Sequence, residues 1–219
     1  MKRYNLIFLA IISLSILVSC DLKEESKSLP ILGHMNLVDR VKDGKKVIDT
    51  VYHTIPDFSF IDQDSNSVTH RTFDDKIYVA DFFFTSCPDI CPAMTTQMLR
   101  VYEKFRDNPG FALLSHTIDP KRDSVTVLKD YSERIGVEES GKWFFVTGQK
   151  EDIYDIGLNG YMVTADESPD APGGYIHSGA FILVDKERRI RGVYDGTKEE
   201  KVDLLMEDIP KLMAEYQKP

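Results

Sequence analysis

The chain is poor in cysteine, with three among its 219 residues. Cys20 directly follows an N-terminal apolar stretch, which leaves Cys87 and Cys91 in the body of the protein. So small a number excludes a fold held together by a disulfide framework. A Cys87–Cys91 bridge would add little stability, because a disulfide stabilises mainly by closing a long loop. We therefore interpret the pair as chemically active, either as a redox couple or as a soft-metal site.

Basic side chains are also scarce. Lysine and arginine number 27 against 36 aspartates and glutamates, so the formal net charge is −9 at pH 7. Two of the basic residues, Lys2 and Arg3, lie in an N-terminal segment that we expect to be removed. An acidic surface repels nucleic acid and anionic headgroups. The composition therefore excludes nucleic acid as a partner and argues against a purely electrostatic attachment of the body to a membrane.

Long hydrophobic runs are missing apart from residues 6–18, which are too few for the roughly 20 residues of a transmembrane helix. Lys2 and Arg3 precede this run and the sequence LVSC ends it at residues 17–20, as in a secretory signal peptide. The ending resembles the lipobox of bacterial lipoproteins. That resemblance implies that residues 1–19 are removed and that a lipid on Cys20 anchors the protein to a membrane of the bacterial cell envelope, outside the cytoplasm. An uncleaved membrane anchor is the alternative.

The remaining chain shows a polar segment followed by one domain. We expect a tether over residues 20–45 and a folded domain over residues 46–219. An N-terminal hairpin is expected at residues 56–68, with its turn at 62–66. Periodicity predicts strands near residues 77–84, 111–118 and 143–146, and helices after Cys91, after Asp123 or Ser124, and near residues 151–156. A second hairpin at residues 180–193 then precedes a last helix, which Thr197 and Glu200 would start as a capping box.

This alternation of strands and helices predicts an α/β fold, with a central mixed sheet flanked by helices and an N-terminal β-hairpin extension. The dithiol lies where the first core strand meets a helix. By analogy, that position favours a thioredoxin-like fold.

The helix that follows the dithiol bears on its chemistry. The positive end of a helix dipole lowers the pKa of a thiol, and Cys91 is the better placed of the two. Residues four apart on a helix share one face, so the pair can chelate a metal or close into a disulfide. Thiolates suit copper(I) or zinc. His177, where a glycine-rich loop enters a strand, is the best third ligand, although spacing alone leaves an ordinary hydrogen-bonding role open.

Three segments together resemble the Sco/SenC family. They are FFFTSCPDICP at residues 82–92, TIDPKRD at 117–123 and HSGAFILVD at 177–185. The resemblance implies a thioredoxin-like fold and a copper ion bound by Cys87, Cys91 and His177. It also implies a role in assembling the copper-site subunit of cytochrome c oxidase, together with electron exchange with a thiol reductant. Lys121 stands where the family often has an acidic residue.

Three other functions remain open. The Cys87–Cys91 pair could serve a thiol–disulfide oxidoreductase that reduces partner cysteines without carrying copper, although its three-residue spacer is longer than usual for a redox pair. A copper or redox sensor would look the same in sequence. A peroxidase would need a positive group beside Cys87, and the motif offers none. Asp119 and Asp123 could orient the site or simply form turns.

Overall fold

The computed structural model describes residues 28–42, 44–137, 141–168 and 175–217. Cys20 and the predicted signal peptide lie outside the described residues. The strands are β1 (Met35–Lys42), β2 (Lys45–Tyr52), β3 (Ser59–Asp62), β4 (Ser67–Thr69), β5 (Ile77–Phe83), β6 (Phe111–Thr117), β7 (Trp143–Thr147), β8 (Ala165–Glu167), β9 (Tyr175–His177), β10 (Ala180–Val184) and β11 (Ile190–Asp195). The α-helices are α1 (Cys91–Phe105), α2 (Val125–Arg134), α3 (Lys150–Asp155) and α4 (Glu199–Glu215).

A seven-stranded mixed sheet in the order β11-β10-β5-β6-β7-β3-β4 forms the centre of the fold. β5, β6 and β7 run parallel, while β10, β11, β3 and β4 are antiparallel to their neighbours. Parallel neighbours need long crossovers, and α1 and α2 supply them. The expected thioredoxin-like α/β fold is confirmed, and the described residues include no helix long and apolar enough to cross a membrane.

The central strand β5 is covered on both faces because its sequence is almost continuously apolar. All seven of its residues are buried. Phe83 packs on Tyr131 of α2, with ring centroids 5.4 Å apart, and Phe82 packs on Tyr161 on the opposite face at 5.7 Å. The strand therefore gives the residues that follow it, including Cys87, a rigid starting point.

The N-terminal region contains two hairpins. The hairpin expected at residues 56–68 is confirmed as β3 and β4, which extend the edge of the main sheet. A separate hairpin, β1–β2, precedes it and forms its own two-stranded sheet. Weak alternation over residues 47–52 predicts only part of β2, and β1 lies within the tether predicted over residues 20–45. Polar and apolar residues are mixed along β1, so its strand period is weak.

Two further expectations differ from the structure. The last helix begins at Glu199, and its N-cap residue Lys198 makes no capping hydrogen bond with its side chain. Thr197 instead donates to Asp195 Oδ1 at 2.5 Å, so the predicted capping box is wrong. Glycine and proline predict a long loop over residues 160–174, but this segment includes β8, which pairs with β9. Residues 169–174 lie outside the described part of the chain.

Two polar side chains are buried in neighbouring strands on opposite faces of the sheet. Asp81 is 4% exposed and accepts a 2.5 Å hydrogen bond from Ser115, whose oxygen accepts one from Trp143 Nε1 at 2.8 Å. His116 is fully buried and stacks on Phe82 at 4.8 Å. Burial raises the pKa of Asp81 to about 7 and lowers the pKa of His116 to about 3, because both charged forms lose their hydration.

We predict that Asp81 and His116 change the free energy of unfolding in opposite directions as the pH rises. The contribution of Asp81 is present below its ordinary pKa of 3.8 and is lost as the pH rises through about 7. The contribution of His116 is present above its ordinary pKa of 6.5 and is lost as the pH falls towards about 3. Asp81→Asn removes the first effect. The unfolding free energy of this variant should therefore rise between pH 4 and 7, following His116 alone.

Urea denaturation across this pH range measures the effect. The difference in unfolding free energy between Asp81→Asn and the wild type should shift in favour of the variant by a few kcal/mol from pH 4 to pH 7. One pKa unit corresponds to about 1.4 kcal/mol. Parallel stability curves for the two proteins would contradict the assignment of a raised pKa to Asp81.

Candidate metal centre

The two cysteines of the body lie in the turn that joins β5 to α1. The N–H of Cys87 donates to the carbonyl oxygen of Phe84 at 3.2 Å, and Cys91 is the first residue of α1. Pro92 fits there because the first turn of a helix leaves its N–H groups without intrahelical acceptors. Cys87 is half-buried, Cys91 is 4% exposed, and both are thiols. Cys87 is therefore the residue that a partner reaches first.

Burial decides the protonation of Cys91. The helix dipole was expected to lower the pKa of this thiol, but the structure gives the opposite direction. Loss of hydration raises the pKa of Cys91, and the neighbouring Cys87 side chain raises it further, while a backbone hydrogen bond involving Phe84 only partly offsets the change. The thiolate therefore needs a compensating positive charge, and a metal ion bonded to both sulfurs supplies one.

A buried carboxylate fixes the loop just before Cys87. Asp123 is 0% exposed, and one of its oxygens accepts hydrogen bonds from Thr85 N at 3.0 Å and from the Thr117 hydroxyl at 2.5 Å. The other oxygen accepts from the Thr85 hydroxyl at 2.5 Å. The sequence left Asp123 open between a turn and a site residue. The structure shows the turn, in which the Asp123 N–H donates to Asp119 O at 2.9 Å, and its carboxylate binds Thr85, two residues before Cys87.

The main chain around His177 runs beside the same loop. Tyr175, two residues before it, packs its ring 5.1 Å from that of Phe84. Gly179, two residues after it, lies against Ile90, because a Cβ built on this glycine would be 3.6 Å from Ile90 Cδ1. His177 itself ends β9, opposite Ala165 of β8. Its side chain lies outside the described part of the structure, so its role as third ligand stays a prediction.

Other side chains whose chemistry suits a metal, two methionines and two histidines, take structural positions instead. Met94 and Met98 are buried in the core, at 1% and 0% exposed. His53 Nε2 lies 2.7 Å from the Gly160 carbonyl oxygen, and His70 Nδ1 lies 3.5 Å from an Asp57 carboxylate oxygen. Among the described side chains, histidine, cysteine, aspartate and glutamate form no group of three that could hold a metal ion.

Comparison with known proteins now adds to this geometry. A family model described as SCO1/SenC matches residues 48–214, which is most of the chain. The chain belongs to the SCO1/SenC family. The match begins at β2 and ends in α4, so it covers the dithiol turn, the Asp123 segment and His177.

Solved structures of SCO1/SenC relatives share the fold. A SCO1/SenC family lipoprotein from Bacillus anthracis is 25% identical, with a TM-score of 0.67 over 74% of this chain and 95% of that one. BsSco, a member of the Sco family of cytochrome c oxidase assembly proteins with an identified disulfide switch, is 25% identical, with a TM-score of 0.64 over 73% and 93%. ScoI from Arabidopsis thaliana with copper bound is 26% identical, with a TM-score of 0.61 over 74% and 98%.

We predict that Asp123 supports both the fold and the dithiol turn. Asp123→Ala leaves buried donors of Thr85 and Thr117 without their acceptor, which should lower the unfolding free energy by about 3 kcal/mol. The same change releases the start of the turn and should weaken metal binding by the cysteines. Urea denaturation and anaerobic copper titration measure the two effects.

Asp119→Ala is the matched control. Among the described residues, the Asp119 carboxylate accepts one long and exposed hydrogen bond, from Arg122 N at 3.4 Å. This variant should keep nearly all the stability and copper affinity of the wild type. Equal losses in the two variants would contradict a specific role for Asp123.

Proposed function

We propose that this protein is a membrane-anchored copper chaperone that binds one copper ion through Cys87, Cys91 and His177. Copper is its cargo, which it delivers to cytochrome c oxidase or uses to prepare the copper site of that enzyme. The observation that carries the proposal is the arrangement around the dithiol turn. Two thiols share one turn, and the residues on both sides of His177 pack against the residues of that turn. Family membership and the copper-bound relatives support it.

The donor set favours copper(I). Thiolate sulfur is a soft ligand, and imidazole completes a site that suits copper without the four protein ligands of structural zinc. Burial of Cys91 restricts competing water, while the exposed side of Cys87 gives a partner access. A partner cysteine can then approach the metal from the side of Cys87 and replace the ligands one at a time.

The lipid at Cys20 is the proposed anchor. It would hold the domain outside the cytoplasm at a membrane of the cell envelope, on the side where cysteines tend to oxidise. The lipoprotein relative supports this location. A thiol reductant then has to regenerate the dithiol: it gives two electrons and two protons to the Cys87–Cys91 disulfide and is itself oxidised to a disulfide.

Copper binding is predicted to depend on the three named side chains. In an anaerobic titration of the reduced protein, Cys87→Ser and Cys91→Ser should abolish tight binding, because a hydroxyl is a hard and weakly acidic ligand. His177→Ala should weaken binding and change the absorption spectrum of the copper(II) form.

His34→Ala provides the control for the histidine variant, since His34 is exposed and lies in the N-terminal region next to β1. It should bind copper as the wild type does. If His177→Ala gave wild-type affinity with an unchanged spectrum, His177 would not be a ligand and the proposed site would lose its third group.

The redox state of the pair is predicted to control copper loading. Both sulfurs of a Cys87–Cys91 disulfide lack the charge that a metal needs, so the oxidised protein should bind hardly any copper. Oxidised and reduced samples, verified by alkylation and mass measurement, can be titrated side by side. Stoichiometric copper uptake by the verified disulfide would show that the thiolates of Cys87 and Cys91 are not the primary ligands, and it would contradict the proposed site. The disulfide switch of BsSco supports the redox part of the cycle.

A further inference from the structure

The β1–β2 hairpin exposes one strongly apolar face. The register pairs Met35 with Tyr52 and Lys42 with Lys45, so alternate residues of both strands share a face. One face, called here the apolar face, carries Met35, Leu37, Val41, Ile48 and Tyr52. The first four of these are 65%, 69%, 72% and 73% exposed. Such exposure is unusual for four large apolar side chains on one short element.

The opposite face of the hairpin is different. Val47 and Val51 are 39% and 38% exposed there, and Arg40 and Asp49 form an ion pair at 3.2 Å across the two strands. Polar side chains thus cover part of this face. A two-stranded hairpin is marginally stable by itself in water. The asymmetry therefore indicates that the apolar face, and not the opposite one, meets another surface.

The base of the hairpin is fixed to the domain. His53 N donates to His34 O at 2.8 Å, which closes the two ends of the hairpin on each other. The His53 ring nitrogen Nε2 lies 2.7 Å from Gly160 O, which ties the hairpin to the domain. Just beyond it, Ile55 N donates to Arg188 O at 2.8 Å. A surface that holds the hairpin therefore also holds the domain in one orientation.

The charges at the tip of the hairpin differ from those of the whole chain. Residues 40–46 carry four basic side chains and one acidic one, whereas the whole chain has a net charge of −9. Lys46 shares the apolar face, while Lys42 and Lys45 flank the turn on the opposite face, where Arg40 pairs with Asp49. A negatively charged surface would attract this tip and repel the acidic body. The sequence argument against electrostatic membrane binding holds for the body, but it does not hold for this local group.

The position of the hairpin in the chain selects the surface. Met35 follows Cys20 by fifteen positions, and an extended chain spans at most about 3.5 Å per position, which limits the distance between the two residues to about 50 Å. We propose that the apolar face of the β1–β2 hairpin docks on the phospholipid surface, with its basic tip against anionic headgroups. This inference rests on the proposed lipid anchor at Cys20. Asp39 and Lys46 share this face with the apolar side chains. The hairpin therefore docks at the boundary between headgroups and acyl chains, where its apolar side chains reach the first acyl carbons and its strands stay outside the hydrocarbon core.

Tryptophan substitution on the two faces tests the proposal. Leu37→Trp places the indole on the apolar face, and Val47→Trp places it on the opposite face as a matched control. The natural tryptophan, Trp143, is 2% exposed and adds a constant background. The full-length acylated protein is reconstituted into vesicles of phosphatidylethanolamine and phosphatidylglycerol, with and without brominated acyl chains.

The emission of Leu37→Trp should shift to the blue and be quenched several-fold more strongly by brominated lipid than that of Val47→Trp. Replacing phosphatidylglycerol by a zwitterionic lipid should reduce the difference. Equal quenching of both variants, or of neither, overturns the proposal. A blue shift that depends on protein density without quenching by bromine would identify a second copy as the occupant, and one that needs added oxidase would identify a protein partner.

Two measurements on the same samples separate this proposal from the proposed function. Mass spectrometry reports whether Cys20 carries the lipid, and copper titration in detergent reports the state of the dithiol site. A lipidated, copper-binding protein whose Leu37→Trp variant is not quenched would overturn the docking of the hairpin alone. A protein without lipid on Cys20 would overturn the anchor.

Discussion

The carboxylate of Asp123 connects the parts of the chain on which the metal centre depends. Its hydrogen bonds join Thr85, at the end of β5, to Thr117, at the end of β6, and its own main chain closes the turn before α2. Cys87 follows Thr85 by two residues. β5 is buried on both faces and is therefore held in place. The loop that follows it could still change conformation, and the hydrogen bonds of the Asp123 carboxylate to Thr85 restrict that motion. The position of the first sulfur therefore depends on a residue 36 positions later in the sequence.

The second sulfur is governed by a competition between two electrostatic effects. The N-terminus of α1 favours a negative charge on Cys91, while burial among the core residues opposes it, and burial is the larger effect. The result is a thiol that stays protonated until something replaces the proton. A soft cation can do so, and so can an oxidant that joins the two sulfurs. Under the proposed function, such a dithiol stays protonated and unreactive until copper or an oxidant reaches it.

Sequence reasoning was most successful where one local signal dominates. The continuous apolar stretch of β5 and the helical spacing of Met94, Met98 and Val101 predicted elements that the structure confirms. It failed where several weak signals compete. The strand β1 lacks a clear period, and the capping pattern at Thr197 lost to a local hydrogen bond with Asp195.

The place of the dithiol at the end of a strand was predictable from the sequence, but the energetics of its thiols were not. The spacing of Cys87 and Cys91 and the resemblance to a family located the dithiol. The direction of the pKa of Cys91 depends on how deeply helix α1 packs, which is a property of the tertiary structure. The acceptor role of Asp123 likewise requires the ends of β5 and β6 to be neighbours. No local sequence pattern around Asp123 indicates that they are.

Under the proposed function, the three ligands come from elements of unequal stability, and this sets the order in which copper can be released. Cys91 belongs to a long helix packed in the core, and Cys87 follows a strand buried on both faces. His177 belongs to β9, which pairs over three residues with β8 in a separate two-stranded sheet. A short ribbon of this kind opens at lower free energy than the core. The imidazole is therefore the ligand that leaves first, while the two sulfurs keep the ion until a partner supplies a replacement.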